Sequence, residues 1–261
     1  MQRILIAAVF SLFTLVSAHA QSEAQALVDR STLALQEMMT QTISQDPRRV
    51  LQSARGVLIC PRVFRAGFFF GGEAGGCVLV ARGADNTWSY PAFYVMGSGS
   101  FGLQIGIQDS QFIMMIMTER GLRSVLDTQL KLGADASLAV ATIGGGVQGA
   151  TTAALGADIV AFSSARGLYG GISVAGSLMS ARSDWNRAYY GQEYGSQQIV
   201  IGMQGANPGA EPLREVLTRY GSPSAPAMSP AQTEAAPQPT QLTAPPGAVQ
   251  QQSLPPPPPR G

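Results

Sequence analysis

Residues 101–108 read FGLQIGIQ. Phe101, Leu103, Ile105 and Ile107 alternate with Gly102, Gln104, Gly106 and Gln108, a period of two that marks a strand with one apolar and one small or polar face. The surroundings share this texture: twenty-seven of the thirty glycines fall between Gly56 and Gly209, among short β-rich runs. Glycine inside strands marks bulges, bends or the close approach of another backbone, and a sheet that must curl uses it in this way. Further strands are expected at 57–60, 77–82, 88–95, 111–118, 137–143, 158–163, 168–174 and 197–203, with helices at 119–132, 183–190 and 210–220. Upstream, Leu27, Val28, Leu35, Met38, Met39 and Ile43 recur at helical spacing over 23–45, and Asp46-Pro47 ends that helix. The fold class that follows is α+β: a strongly curved, glycine-rich antiparallel sheet or barrel-like sandwich, with an N-terminal helix and a few short packing helices.

The two ends read differently. Residues 1–20, MQRILIAAVFSLFTLVSAHA, combine Arg3, an apolar run from Ile4 to Val16 and a small-x-small Ala18-His19-Ala20 site. That pattern is a secretory signal peptide, because a membrane span needs roughly 20 apolar residues. No cysteine follows the cleavage site, so a lipoprotein is not expected, and the working chain is expected to be exported and periplasmic. Residues 222–261 hold twelve of the seventeen prolines and end LPPPPPRG, a composition that cannot bury a core and is expected to form a disordered spacer. The PPPPPR run also suits an SH3-type groove, although a spacer is the preferred reading. Between them, residues 22–221 are long enough for one domain with a sizeable core. The uncharged stretches 86–108 and 136–157 carry Pro91 or many Gly, Thr and Gln, and fit strands better than membrane helices.

Most catalytic kits are missing. His19 is the only histidine and leaves with the signal peptide, which removes Ser-His-Asp and Cys-His nucleophiles and histidine zinc sites. Sixteen Lys+Arg then face sixteen Asp+Glu, against a nucleic-acid binder that relies on bulk positive charge. GSGSFG at 97–102 matches a dinucleotide fingerprint but precedes a strand pattern rather than a helix, and Lys131 lacks the glycines of a P-loop. GISVA at 171–175 only approximates a nucleophile elbow. No cofactor, metal or enzymatic activity is expected. Cys60 and Cys77 sit in apolar runs, and two readings fit them: a disulfide, or two buried free thiols on neighbouring strands.

The arginines carry the remaining chemistry. Arg48, Arg49, Arg55, Arg62 and Arg65 fall within eighteen residues that contain no acid, directly after the amphipathic helix. Guanidinium groups bind phosphate bidentately, so such a cluster beside an apolar helix face suits an anionic membrane surface. The plainer reading is solvated arginines paired with distant acids. Arg166, alone among small and apolar residues, either fixes a turn by bonding backbone carbonyls or a buried acid such as Asp158, the preferred reading, or meets a lipid phosphate. Trp88, Tyr94, Trp185, Tyr189 and Tyr190 are expected in the core or at its rim.

Six stretches in order resemble the SYLF domain: ARGVLICPRVFRAGFFFGGEAGGCVLVAR (54–82), WSYPAFY (88–94), GSFGLQIGIQ (99–108), KLGADAS (131–137), SSARGLYGGISVAGSLM (163–179) and DWNRAYYG (184–191). The resemblance covers about residues 30–205 and implies a compact β-rich α+β domain without known catalytic activity, shared by bacterial exported proteins and eukaryotic actin-patch proteins. It implies lipid binding, with phosphoinositides favoured by eukaryotic members through an N-terminal amphipathic helix and nearby basic residues. Here those map to Leu27, Leu35, Met38 and Met39 as a membrane-contacting helix face, and to Arg48, Arg49, Arg62, Arg65 and Arg166 as headgroup ligands. An exported bacterial chain meets no actin and few phosphoinositides, so the expected ligand is a common anionic phospholipid. The alternative is an envelope scaffold that binds a protein partner, with the Pro-rich tail as spacer.

Overall fold

In the computed structural model, which describes residues 2–41, 46–101, 106–127, 129–142, 156–167 and 176–222, the strands join one eight-stranded sheet. These are β1 (Gly56–Gly67), β2 (Phe70–Ala81), β3 (Ala92–Phe101), β4 (Gly106–Ile116), β5 (Gln129–Lys131), β6 (Leu138–Thr142), β7 (Ile159–Gly167) and β8 (Leu178–Ala181), in the order β5-β8-β3-β2-β1-β4-β7-β6. Every neighbouring pair is antiparallel except β6 and β7, which run parallel, so the sheet is mixed rather than all antiparallel. Sixteen residues separate Thr142 from Ile159, enough chain for the crossover that parallel neighbours require.

The connectivity forces the sheet to curl. Its two edges, β5 and β6, are joined by Leu132–Ser137 alone, a connection that spans at most about 25 Å when fully extended. A flat sheet of this strand count would hold its edges about 34 Å apart. The connection is far from extended: the Lys131 carbonyl accepts from the Ala134 and Asp135 N–H groups, and Leu132 bridges Ala136. The result is a half-barrel.

Both faces of the sheet are covered, which is why GVLIC and CVLVA are continuously apolar rather than alternating. Val57, Ile59, Val78, Val80, Phe93 and Ile113 point to one face, covered by α1 (Gln2–Gln41), α2 (Asp46–Ser53), α4 (Ser183–Tyr190) and α6 (Glu211–Gly221). Leu58, Cys60, Cys77, Leu79, Phe112 and Met114 point to the other, where Leu122 and Val125 of α3 (Glu119–Leu126) and Ile199 and Val200 of α5 (Ser196–Val200) pack. Trp88, Tyr94 and Tyr189 are buried, and Trp185 and Tyr190 lie at the rim.

Several expectations shift. FGLQIGIQ is not one strand: Phe101 ends β3, Gly106 begins β4, and 102–105 lie outside the described residues, as do 168–174. Residues 197–203 start as helix α5, because the Gln198 side chain caps the Gly195 N–H at 2.8 Å and the β-branched Ile199 and Val200 find apolar cover there. Helix 119–132 stops at Leu126 and resumes as β5. Of the two cysteine readings, the structure has the disulfide: Cys60 on β1 and Cys77 on β2 stand opposite each other, Cα atoms 4.2 Å apart. Just beyond it the register of β1 slips against both neighbours, between Ile59 and Phe64 and between Cys60 and Val63. This bulge presses on Gly75, where a Cβ would collide with the Arg62 carbonyl and lie 2.8 Å from Val63 Cγ2.

Candidate functional site

The arginine cluster does not stay together. β1 begins just after Arg55 and carries Arg62 and Arg65 away along its length, which spans up to about 36 Å at strand rise. Arg48, Arg49 and Arg55 remain at its root.

At that root three helices end, each exposing carbonyl groups without intrahelical partners. Arg48 donates to the Met39 carbonyl in the last turn of α1 at 3.0 and 2.6 Å, with its guanidinium 5.1 Å from the Tyr220 ring. Arg82 donates to the carbonyls of Leu51 at the end of α2 and Gly221 at the end of α6, lies 4.6 Å from the Trp88 ring, and has its pKa lowered by burial. Arg55 is tied to Arg82 through the backbone, its carbonyl accepting the Arg82 N–H at 2.7 Å. Arg48 and Arg82 thus close helix ends, while Arg49 and Arg55 stay exposed beside them. Arg219 is also exposed but borders a groove shared with Asp85, Glu211 and Glu215.

Further along β1 the charges are neutralised. Arg62 forms a bidentate pair with Asp109 of β4, whose carboxyl is held below its ordinary value by that guanidinium. This pair flanks a shallow groove of about 380 Å³ beside Arg30, Leu33 and Glu37 of α1. Half-buried Arg65 pairs with the buried Glu73 of β2 at 2.6 Å, and the other oxygen of Glu73 accepts from Ser98 and Ser177.

The backbone of Arg166 pairs opposite Asp109; its side chain lies outside the described residues. Asp158 is not available to it. The Asp158 carboxylate is buried and accepts from Arg120, Thr118 and Ser137, and the Arg120 guanidinium, with the Thr118 and Ser137 hydroxyls, holds its pKa well below the carboxylate range. Thr118 at the same time caps α3. Asp158 thus anchors a junction that joins the ends of β4 and β7 to α3.

Leu27, Leu35, Met38 and Met39, expected to contact a membrane, are instead buried in the core. The helical period is as expected, but the stripe faces the sheet, which presents Val57, Ile59, Val78 and Val80 to it. A helix stripe cannot serve core and bilayer at once.

The structure adds one feature that the sequence pattern did not single out. The run Phe68-Phe69-Phe70 forms the turn of the β1–β2 hairpin and is exposed, together with Phe64 and Ile107 on the adjoining strands. The signal was present in RAGFFFGG, since three successive aromatics between glycines cannot all turn inward at a two-strand end.

Among the described residues, no His/Cys/Asp/Glu group could hold a metal, and no helix is long and apolar enough to cross a membrane. These features define an α+β half-barrel module whose candidate contacts are surface features at the two ends of one strand. The family model described as Ysc84, Las17-binding protein actin regulator, matches residues 97–220. Protein YSC84 of Saccharomyces cerevisiae is 34% identical over 174 residues, 66% of this chain and 37% of that protein. LAS seventeen-binding protein 3 of the same species is 33% identical over 174 residues, with 66% and 38% covered. SH3 domain-containing YSC84-like protein 1 of Homo sapiens is 30% identical over 176 residues, with 67% and 51% covered. Residues 97–220 carry the match to the Ysc84 (SYLF) family, and the chain spans about half or less of the length of these relatives.

Proposed function

We propose that this domain is a non-enzymatic lipid-binding module that sits peripherally on a membrane, attracted by anionic phospholipid headgroups. The observation that carries the reading is the root of β1, where exposed Arg49 and Arg55, from a stretch of sequence free of acids from 48 to 65, stand beside Arg48 and Arg82. Each arginine near an anionic surface contributes about 1 kcal/mol of attraction. Export to the periplasm belongs to the same proposal; the Cys60–Cys77 disulfide supports it, since such bonds persist in oxidising compartments.

The test is sedimentation with phosphatidylglycerol–phosphatidylcholine vesicles. Arg49→Ala/Arg55→Ala should weaken binding roughly thirty-fold, and added salt should mimic the loss. Equal, poor sedimentation of the unaltered protein with neutral and anionic vesicles would overturn the reading.

The names of the relatives favour a second reading, a scaffold for a protein partner, since the family description speaks of Las17 binding and one relative is named for binding LAS seventeen. If the tail is the tether, deleting 222–261 abolishes recovery of a crosslinked partner and leaves the melting temperature unchanged. Recovery that survives the deletion sinks that version.

A further inference from the structure

We propose that the free end of the β1–β2 hairpin is an apolar anchor that inserts into the outer layer of a bilayer; the inference rests on the lipid-binding reading but uses a different part of the molecule. Phe68, Phe69 and Phe70 are 57, 53 and 72% exposed, and Phe64 and Ile107 behind them are 43 and 64% exposed. Phe64 stands opposite both Ala74 and Asp109, and Ala66 stands opposite both Gly72 and Ile107, so these residues share the face of the sheet that α1 covers elsewhere. Among the described residues, α1 contacts these strands at Gly76 through Leu27 and at Gln111 through the Ala34 carbonyl, and its Leu33 and Glu37 border the groove beside Asp109, while Phe64 and Ile107 stay exposed. The aromatics of the hairpin end therefore face outward.

Three features fit this end to lipid. From Ala66 to Gly72 there is no charge, and the chain projects three to four residues beyond the Arg65–Glu73 pair, or about 10 Å at strand rise. Elements that lie in a membrane interface bury their apolar face to about 5–10 Å, so the charge-free length matches the depth. Second, the backbone is paired within the hairpin. Gly67 stands opposite Gly71, and the Phe68 N–H donates to the Phe70 carbonyl at 3.2 Å, so little hydrogen-bonding capacity is lost on leaving water. Third, the charges at the base are already compensated, Arg65 by Glu73 and Arg62 by Asp109, so reaching headgroup depth strands no unpaired charge.

The same seven residues carry no side-chain donor or acceptor. A protein interface orients its partner with about one hydrogen bond per 100–200 Å², whereas a fluid bilayer asks for none. The occupant is therefore the acyl-headgroup boundary of a membrane. The disulfide and the Glu73 hydrogen bonds to Ser98 and Ser177 brace the hairpin behind the aromatics.

Two variants of the full chain test this on phosphatidylglycerol–phosphatidylcholine vesicles. Phe68→Ser/Phe69→Ser/Phe70→Ser should keep the melting temperature and lower the vesicle partition coefficient roughly tenfold or more, with the loss persisting at high salt. Phe69→Trp should give a blue-shifted indole emission on vesicle addition, quenched by lipids brominated near the top of the acyl chains. If the unaltered protein binds vesicles, the triple variant binds equally well and the indole stays unquenched, the anchor is refuted while the lipid reading stands. If the unaltered protein binds no vesicle, the lipid reading falls and takes the anchor with it. Should the triple variant fail to fold, the indole decides: quenching by the brominated lipids supports the anchor, and its absence on bound vesicles refutes it. Aromatics buried instead in a dimer, seen as a change of sedimentation coefficient between the unaltered and triple-serine chains without lipid, would also refute the anchor.

Discussion

At Gly56, β1 is hemmed in: a Cβ there would meet the Val80 carbonyl at 3.1 Å, helix ends are closed by Arg48 and Arg82 nearby, and the Asp158 junction ties the neighbouring strand ends. At Gly67 the same strand runs out into an exposed aromatic turn. Sequence composition hardly separates the two ends, since both carry arginine, glycine and apolar residues. What separates them is the covering layer. The root is clamped by helices, so Arg48 and Arg82 serve carbonyls there; at the free end the aromatics face outward. Substitutions of the residues that close the root should therefore cost stability, whereas substitutions of the exposed Arg49 and Arg55, or of the aromatics at the free end, should cost binding.

The largest effect is expected at the junction beside the root. Asp158→Ala should lose about 3 kcal/mol, because five hydrogen bonds to the buried carboxylate, from Arg120, Thr118 and Ser137, go with it. Arg120 itself is mostly exposed, so Arg120→Ala should cost much less, its share being screened by solvent. The carboxyl is held below its unfolded value, so its contribution is full above about pH 4 and fades as the pH falls further. Chemical denaturation of Asp158→Asn and the unaltered chain should therefore give a gap that is constant near neutrality and narrows in acid. A gap that widens in acid would contradict the assignment.

A smaller effect is expected where the bulge separates root from free end. Gly75→Ala should destabilise by about 1–3 kcal/mol, since its Cβ strikes the β1 backbone and the strands must part. The smallest is at Gly99, on β3 near the free end, where a Cβ meets nothing within 4 Å and the backbone needs no left-handed φ. Gly99→Ala should be neutral or stabilise by up to about 1 kcal/mol, through the unfolded chain. Thermal melts of both variants would test the contrast: equal losses at Gly75 and Gly99 would mean that the free end is packed after all.

The amphipathic helix was legible from Leu27, Leu35, Met38 and Met39, and α4 coincides with the helix expected at 183–190. Their period of 3.6 is a local property. The destination of the stripe was not legible, because an apolar face looks the same whether it is to meet a sheet or a membrane. The arginines failed for a related reason: five close in sequence suggested one patch, but an extended strand separates by tens of ångströms what a helix would keep together. At 197–203, β-branched residues suggested a strand, and packing against the half-barrel overrode that preference.

Sequence alone settled that this chain holds a β-rich α+β domain and that its two cysteines lie in apolar runs, since those are matters of local period and order along the chain. Tertiary structure alone decided which side chains face outward. Whether Arg65 finds Glu73, whether Asp158 answers Arg120, and whether Phe68–Phe70 lie exposed depend on register and cover. Those are set by contacts between residues far apart in sequence, and no local pattern records them.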